Sequence, residues 1–329
     1  MLGTGKSLIQ ETYERYARFL PQENILVVTN LHYATLLKEQ LPLLTEDQIL
    51  LEPVGRNTAP CIAYAAWKIA RRDPKAVLIA SPSDHLIRDE AGFQRDMKLA
   101  LKLAAQEPTI VTVGITPTRP DTGYGYIQFV TDKGNPKEEY FKVKTFTEKP
   151  SLALANTFML SGDFVWNSGI FVTSVATLIP AFQLHMPELA ELFQQAQPSL
   201  DSADEEKVIN EVYAHAKNIS IDYGVMEKAD NVYVIRSHFQ WSDLGTWNSL
   251  YSEMEHDARE NAATGEVLLM NAVRNIVKEY GNKLVVLKDV DDLIVVDTED
   301  VLLVCPRNQE QTIREVVAEV RKAHGDRFV

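Results

Sequence analysis

The amino-acid sequence predicts an α/β fold, with a Rossmann-like mixed-sheet domain over residues 1–255 and a smaller β-rich domain over residues 256–329. Helix-like and strand-like segments alternate along the first part of the chain, which is typical of a sheet covered by helices. Short β-branched runs recur at regular intervals in the last part, which is typical of a coil of short strands. A length of 329 residues exceeds what one hydrophobic core usually serves, so two domains are expected.

The first half of the larger domain shows the alternation most clearly. Apolar residues at helical spacing begin at Ser7 and stop before Pro21. The next predicted elements are, in order, a strand at Ile25–Thr29, helices at Tyr33–Gln40 and Cys61–Ala70, a strand at Ala76–Ala80, a helix at Phe93–Ala105 and a strand at Thr109–Gly114. Helices that connect strands favour parallel pairing, so we expect a parallel sheet here.

The second half of this domain is richer in strands. Predicted strands at Tyr126–Val130 and Phe141–Thr147 are separated by a polar loop at Thr131–Glu139. The elements predicted after them are helices at Ser151–Leu160, Val175–His185 and Glu188–Gln195, a surface connection at Gln197–Glu206 and a strand at Val232–Ile235.

The β-rich domain contains short strand-like runs separated by polar turns. These runs lie at Gly265–Met270, Asn275–Glu279, Lys283–Leu287, Leu293–Asp297 and Val301–Cys305. A final helix is predicted at Gln309–Ala323. No catalytic constellation stands out in this part, so we expect it to serve packing or oligomerisation.

Charge and composition limit the classes of function. The formal net charge of −13 opposes nucleic-acid binding but not small phosphorylated ligands, whose charge a divalent cation and backbone N–H groups can carry. No apolar run approaches the roughly 18 residues of a membrane span, and no signal peptide is recognisable. Cys61 and Cys305 have no metal-ligand spacing. We therefore expect a cytoplasmic protein with reduced thiols and no membrane or nucleic-acid partner.

A polar segment precedes the third helix of the alternating region. EPVGRNTAP at Glu52–Pro60 places Gly, Arg, Asn and Thr at a predicted helix start. Backbone N–H groups and forked side-chain donors at such a place suit a nucleotide. A purely local interpretation has Thr58 as the N-cap and Pro60 in the first turn, and both interpretations can hold together.

Two aspartates lie in turns that follow predicted strands. SPSDH at Ser81–His85 places Asp84 at the carboxyl end of a strand, where open α/β sheets bind ligands. QWSDLGTW at Gln240–Trp247 places Asp243 between two tryptophans. Carboxylates are ligands for magnesium, so the pair is a candidate clamp for one cation. The alternatives are that Asp84 caps a turn and that Asp243 is a helix N-cap.

Three further motifs offer groups that suit a sugar phosphate. TGYGYI at Thr122–Ile127 lets the backbone pass close to a ligand, although a hairpin bulge would use the same glycines. FTEKP at Phe146–Pro150 offers a carboxylate and a lysine, and WNSG at Trp166–Gly169 offers an amide that both donates and accepts. Each motif alone would also fit a solvated surface.

Taken in order, GRNTAP, SPSDH, TGYGYI, FTEKP, WNSGIF, SIDYGVMEK and WSDLGTW resemble the bacterial mannose-1-phosphate guanylyltransferase family over nearly the whole chain. The resemblance implies a GT-A-like nucleotidyltransferase domain followed by a left-handed β-helix-like domain. It implies transfer of GMP from GTP to mannose 1-phosphate, with GDP-mannose and pyrophosphate as products and Mg²⁺ as cofactor. A homodimer is left open.

The resemblance also assigns roles to individual residues. It implies that Asp84 and Asp243 hold the metal and that Lys149 lies near the sugar phosphate, which makes these three the expected catalytic residues. The residues expected near the nucleotide are Arg56, Asn57, Thr58 and Ser83. Those expected near the mannose are Tyr124, Gly125, Glu148, Asn167 and Asp222.

One departure from the family concerns the start of the sequence. LGTGKSLIQ matches the segment that comes after the family's glycine-rich loop and PKQ segment, so those parts are missing. They supply donors to the triphosphate in the transition state, so we expect weak or absent turnover. The open alternatives are a non-catalytic sugar-nucleotide-binding or regulatory module, and a nucleotidyltransferase for another base or sugar, such as one transferring thymidylate to glucose 1-phosphate.

Overall fold

The computed structural model describes residues 5–131, 139–281 and 283–328. They group into two compact units, Lys6–Trp241 and the residues from Ser242 onward. The domain boundary predicted after residue 255 stays a prediction. The loop predicted at Thr131–Glu139 lies outside the described residues except for its two ends. No helix in the described ranges has both the length and the apolar character that a membrane crossing requires.

The larger unit alternates helices and strands, as expected. Its helices are α1 (Leu8–Ala17), α2 (Ala34–Gln40), α3 (Thr58–Arg72), α4 (Glu90–Gln106), α5 (Leu152–Ser161), α6 (Val175–His185), α7 (Pro187–Ala196) and α8 (Glu205–His215). Its strands are β1 (Val27–Asn30), β2 (Ile49–Glu52), β3 (Val77–Ala80), β4 (Leu86–Arg88), β5 (Ile110–Ile115), β6 (Tyr126–Phe129), β7 (Phe141–Thr147), β8 (Phe164–Ser174) and β9 (Val232–Arg236), and β10 (Gln240–Ser242) leads into the second unit.

The main sheet has six strands in the order β3-β8-β5-β9-β7-β6, with a further pairing between β8 and β6. Only β5 and β9 pair in parallel among these strands. The expectation of a parallel sheet is therefore wrong for this sheet, whereas the mixed α/β fold class is confirmed. The physical reason is β8, an unpredicted strand that runs antiparallel between β3 and β5.

Two hydrophobic clusters form the core of the larger unit. One is centred on α3, α6 and α7, where the fully buried Trp67 packs its ring 5.8 Å from Phe182 and 5.7 Å from Phe193. The other includes Phe93 of α4, whose ring meets that of Tyr16 of α1 edge-on at 5.5 Å. Burial of each such side chain stabilises the folded state by about 1.5–3 kcal/mol. The two clusters therefore hold in place the strand ends that carry the polar motifs.

The second unit is a coil of short strands. Its elements are α9 (Trp247–Glu253), β11 (Ala262–Thr264), β12 (Val267–Met270), β13 (Ile276–Glu279), β14 (Val285–Lys288), β15 (Leu293–Asp297), β16 (Leu302–Pro306) and α10 (Ile313–His324). Strands β11, β13 and β15 pair in parallel, as do β12 and β14, and β16 closes the first sheet antiparallel to β15. The predicted β-coil and final helix are confirmed.

Two buried asparagines stabilise successive turns of this coil. The side-chain oxygen of Asn261 accepts from the backbone and side-chain nitrogens of Asn275, both at 3.0 Å. Asn275 in turn donates to Val290 O and accepts from Leu293 N, each at 3.0 Å. The buried amides are therefore satisfied, as the cost of burying polar groups requires.

Candidate functional site

Three of the predicted sugar-facing residues meet through direct hydrogen bonds. The backbone N–H of Asn167 donates to Gly125 O at 2.8 Å, and its side-chain Nδ2 donates to Asp222 Oδ1 at 2.9 Å. Strand pairing explains the first contact, because Tyr126 of β6 lies opposite Trp166 of β8. The TGYGYI, WNSGIF and SIDYGVMEK motifs are thus brought to one place.

Glu148 joins these three residues from the end of β7, and the four together are called the sugar cluster below. Thr147 is paired with Tyr126, so Glu148 emerges beside Gly125. A Cβ atom added to Gly125 would lie 2.5 Å from Glu148 Oε2 and 3.4 Å from Asn167 Cβ. A side chain at this position would force the Glu148 carboxylate to move, so glycine permits the close approach of the glutamate.

Lys149 follows Glu148 in a left-handed backbone conformation, with φ of 47°. Its backbone N–H donates to Tyr124 O at 3.2 Å, which ties FTEKP to TGYGYI. Its Nζ lies 3.0 Å from Glu148 Oε1, and the lysine side chain is 62% exposed. The ammonium group is therefore held at the sugar cluster while remaining accessible to an anionic ligand.

The electrostatics of the cluster are acidic. Burial of the Asp222 carboxyl and the nearby Glu148 carboxylate raise the pKa of Asp222, although the amide of Asn167 and the hydroxyl of Ser220 act in the opposite direction. Burial, Glu148 and Asp222 also raise the pKa of Glu227. Three carboxylates that influence one another suit the hydroxyl groups of a sugar, which donate hydrogen bonds.

Glu227 is the one member of this acidic group that was not predicted from the sequence. It lies within the SIDYGVMEK motif, at the end of the π-helical turn Asp222–Met226. Its backbone N–H donates to Asp222 O at 2.9 Å. The signal was present in the motif, but nothing in the spacing separated Glu227 from an ordinary surface glutamate.

The Tyr124 side chain is 7% exposed and packs among aromatic residues. Its ring centroid lies 4.9 Å from that of Trp166 and 5.4 Å from that of Trp241, both edge-on. The part of Tyr124 that reaches the predicted site is its carbonyl oxygen, which accepts from Lys149 N. Tyr124 thus supports the cluster through its backbone bond to Lys149 and its packing against Trp166.

The GRNTAP segment forms the start of α3, with one correction. Asn57, at a φ of 68°, is the N-cap and its side chain accepts from Thr58 N. Thr58 is the first helical residue, so the expectation that Thr58 caps the helix is wrong. The reason is that Thr58 Oγ1 accepts from Ile221 N at 2.9 Å and so serves a tertiary contact.

The same segment is bonded to the chain that leads to Asp222. Ile219 N donates to Arg56 O at 3.3 Å, and Ala59 N donates to Ile219 O at 3.2 Å. Arg56 Nε donates to Tyr213 O at 3.1 Å. The structure therefore places the predicted nucleotide segment beside the approach to the sugar cluster.

Ser83 and Asp84 follow β3 in an exposed loop. Thr12 Oγ1 of α1 donates to Ser83 O at 3.2 Å, which fixes the loop against the helix. The Asp84 side chain is 78% exposed, and its Oδ1 lies 3.9 Å from His85 Nε2. Trp241 Nε1 donates to His85 Nδ1 at 3.1 Å, so the neutral histidine carries its proton on Nε2, toward Asp84.

Asp243 belongs to the second unit. Its Oδ1 accepts from Gly245 N at 3.0 Å in a tight turn. The N-cap of α9 is Thr246, whose side chain accepts from Ser249 N, so the alternative of Asp243 as a helix N-cap is wrong. A cation shared by Asp84 and Asp243 stays a prediction. Exposed carboxylates of this kind fit magnesium, which takes few protein ligands and keeps waters or phosphate oxygens.

Comparison with protein families gives two matches along the chain. Residues 1–260 match the Nucleotidyl transferase family. Residues 265–320 match a family described as MannoseP isomerase/GMP-like beta-helix domain. The two matched regions together cover most of the chain and agree with the α/β unit and the β-coil seen in the structure.

Curated relatives match nearly the whole chain. The xanthan biosynthesis protein XanB of Xanthomonas campestris pv. campestris is 36% identical over 320 residues, which are 96% of this chain and 67% of that protein. A mannose-1-phosphate guanylyltransferase of Salmonella montevideo is 35% identical over 326 residues, 97% of this chain and 68% of that protein. The chain thus spans about two thirds of the length of these relatives.

A solved structure shares the fold over the same extent. It is described as mannose-1-phosphate geranyltransferase from Thermus thermophilus, is 31% identical and superposes with a TM-score of 0.85. The superposition covers 97% of this chain and 91% of the other.

Proposed function

The chain belongs to the Nucleotidyl transferase family, and from this membership and its clustered motifs we propose that it is a mannose-1-phosphate guanylyltransferase. It transfers GMP from GTP to mannose 1-phosphate and yields GDP-mannose and pyrophosphate. The relative of Salmonella montevideo carries this name at 35% identity. The observation that supports the proposal most strongly is the cluster formed by Gly125, Glu148, Asn167 and Asp222.

The reaction needs positioning more than covalent chemistry. A phosphate oxygen of mannose 1-phosphate forms a bond to the α-phosphorus of GTP. The bond from that phosphorus to the bridging oxygen breaks, and its electron pair leaves with pyrophosphate. Holding the two anions in line and stabilising the charge that develops account for most of the acceleration in such transfers.

The sugar cluster is proposed to hold mannose by complementary hydrogen bonds. Glu148 and Asp222 accept hydrogen bonds from hydroxyl groups, and the acidic environment that raises the pKa of Asp222 suits a neutral polyol. Asn167 is oriented by its bond to Asp222. Gly125 leaves room for the Glu148 carboxylate to lie against the backbone, and Tyr124 is proposed to support this arrangement. Lys149 Nζ, now paired with Glu148 at 3.0 Å, is proposed to turn toward the sugar phosphate.

The nucleotide is proposed to bind through side chains of GRNTAP and through Ser83. The N–H groups of Thr58 and Ala59 are already bonded to Asn57 and Ile219. Arg56 Nε, Asn57 Oδ1 and Thr58 Oγ1 also bond within the protein. The donors proposed for the nucleotide are therefore the Nη groups of Arg56, Nδ2 of Asn57 and the hydroxyl hydrogen of Thr58. Guanidinium and amide groups can read the edge of a guanine or bind its phosphates.

Asp84 and Asp243 are proposed to hold Mg²⁺. When bound, the ion neutralises phosphate charge during the transfer. The Asp84 side chain is 78% exposed, so its carboxylate can coordinate such an ion without a rearrangement of the protein. The cytoplasmic location and the homodimer stay predictions.

The direct test is release of pyrophosphate from GTP in the presence of Mg²⁺ and mannose 1-phosphate. Parallel reactions replace the sugar by glucose 1-phosphate and the nucleotide by dTTP. We expect release with the GTP and mannose 1-phosphate pair to exceed that with either replacement, even at the slow turnover expected from the sequence. Equal pyrophosphate release with glucose 1-phosphate or dTTP contradicts the assigned specificity. If calorimetry shows binding of GDP-mannose and no pyrophosphate is released from any pair, the protein is a non-catalytic binding module.

A further inference from the structure

An arginine outside the predicted site residues lies across two aromatic rings that support the sugar cluster. Arg119 is in the loop between β5 and β6, and its Cζ lies 5.8 Å from the ring centroid of Tyr124 and 5.4 Å from that of Trp166. Its Nη2 also approaches the Tyr124 hydroxyl at 3.4 Å. A guanidinium at these distances is attracted by the faces of both rings.

The guanidinium is itself held by a carboxylate. Arg119 Nε and Nη2 lie 3.0 and 2.7 Å from Asp121 Oδ2. The Asp121 side chain is 9% exposed, and its Oδ1 accepts from Gly123 N at 2.8 Å. The Tyr126 hydroxyl donates to Asp121 O at 2.9 Å. The loop that precedes β6 is thus bonded at several points around one arginine and one aspartate.

The two rings under Arg119 each precede a residue of the sugar cluster. Tyr124 precedes Gly125, and Trp166 precedes Asn167. The backbones of Gly125 and Asn167 are bonded to each other, and Lys149 N donates to Tyr124 O. A shift of either ring would therefore move the backbone that carries the groups proposed to bind mannose and its phosphate.

We propose that Arg119, held by Asp121, is a positioning residue that fixes the mannose 1-phosphate subsite by locking Tyr124 and Trp166 in place. This inference rests on the proposed function, since it names what the sugar cluster binds. Arg119 donates to Asp121 and to the hydroxyl of Tyr124. We expect it to act through the two rings, without direct contact with the substrate.

The variants Arg119→Gln and Arg119→Lys test the proposal, with Arg72→Gln as the matched control. Arg72 has the same side-chain exposure of 38% and pairs with Asp201 at 2.6 Å, whereas Arg119 pairs with Asp121 at 2.7 Å. Arg72 ends α3, and the cation–π contacts found in the described part of the chain do not involve it. Loss of an ion pair by an equally exposed arginine is thus separated from loss of the ring contact.

We expect Arg119→Gln to raise the KM for mannose 1-phosphate, and the Kd for GDP-mannose, by roughly tenfold while the KM for GTP stays nearly unchanged. Arg119→Lys keeps the charge but not the planar fork, so an intermediate effect is expected. Arg72→Gln should leave both constants unchanged. A merely structural role for Arg119 would instead lower the melting temperature and kcat without a selective effect on the sugar.

The near-ultraviolet circular dichroism of the protein without ligand gives a second readout, because it reports the packing of aromatic rings, among them Tyr124 and Trp166. We expect the Arg119→Gln spectrum to differ from that of the unsubstituted protein and the Arg72→Gln spectrum to match it. An unchanged Arg119→Gln spectrum, or equal effects on the KM values for both substrates, overturns the inference. The proposed function fails if the unsubstituted protein neither releases pyrophosphate nor binds GDP-mannose. This outcome is distinct from those that overturn the role of Arg119.

Discussion

The side-chain amide of Asn167 donates a hydrogen bond to the carboxylate of Asp222 at 2.9 Å, across 55 positions of sequence. The orientation of the amide is determined, because its Oδ1 accepts from Gly169 N at 3.1 Å and so leaves Nδ2 to face Asp222. This bond joins β8 to the π-helical turn Asp222–Met226. The geometry of the sugar cluster therefore depends on a neutral amide donor placed among carboxylates.

Asn167→Asp keeps the shape of the side chain but removes this donor. We expect it to destabilise the protein by about 1–3 kcal/mol at neutral pH, because it leaves Asp222 facing a second carboxylate. Urea unfolding measures the loss. The exposed Asn210 of α8, which donates to Glu206 O at 2.9 Å, supplies the matched control Asn210→Asp. Equal losses in the two variants would contradict the role of the bond.

Asp222→Asn tests the raised pKa of Asp222 through stability. Because its pKa lies above the ordinary value, the folded protein binds this proton more tightly than the unfolded chain. Binding of this proton by Asp222 contributes most to the free energy of unfolding below the unfolded-state pKa of about 3.9. This contribution falls as the pH rises through the raised folded-state pKa. The variant should thus be more stable than the unsubstituted protein near pH 7, by about 1 kcal/mol.

The measurement is the free energy of unfolding of both proteins between acid and neutral pH. The difference should shrink toward the acid end, where Asp222 is protonated in both states. A difference that stays constant with pH would show that ionisation of Asp222 is not its source. Binding of GDP-mannose should weaken in the same variant, since the carboxylate is proposed to accept from a sugar hydroxyl.

Gly125→Ala places a methyl group 2.5 Å from Glu148 Oε2. We expect the glutamate to be displaced and GDP-mannose binding to weaken at least tenfold, on the order of 1.4 kcal/mol. Calorimetric titration measures the change. The double variant Gly125→Ala/Glu148→Ala removes the clash. Its loss of unfolding free energy should therefore be smaller than the sum of the losses in the two single variants. Strictly additive effects would mean that the two residues do not interfere.

Asp84→Asn and Asp243→Asn test the proposed magnesium site. Each should lower kcat by about 10²–10³ and raise the magnesium concentration needed for half-maximal pyrophosphate release. If both aspartates hold one ion, the double variant should be little worse than the poorer single variant. Independent, multiplicative losses would argue against a shared cation.

Much of the fold can be predicted from periodicity, and the exceptions have physical causes. Strand β7 and helix α6 lie where the sequence predicts them, because their apolar residues repeat with the period of the element. Strand β8 escaped prediction because Asn167, Ser168 and Gly169 interrupt its apolar run, so the segment resembled a binding loop. Its omission produced the incorrect expectation of a parallel sheet.

The motifs, more than any periodic pattern, select residues that the structure brings together, and the roles of these residues stay predictions. Gly125, Glu148, Asn167 and Asp222 do meet. The pairings of β6 with β7 and β8 bring the first three together, and the bond from Asn167 adds Asp222 of the π-helical turn. Sequence spacing cannot encode such contacts between distant strands. Glu227 and Arg119 were missed because one neighbour of each, Glu148 for Glu227 and Trp166 for Arg119, is remote along the chain.

Strand β8 pairs with β3, β5 and β6 and also carries Asn167. The strand that organises the sheet is thus the strand proposed to meet the ligand, so selection for a different sugar would compete directly with selection for folding. A new sugar preference is therefore easier to obtain at Glu148 and Lys149, which follow the last residue of β7, than at Asn167 within β8.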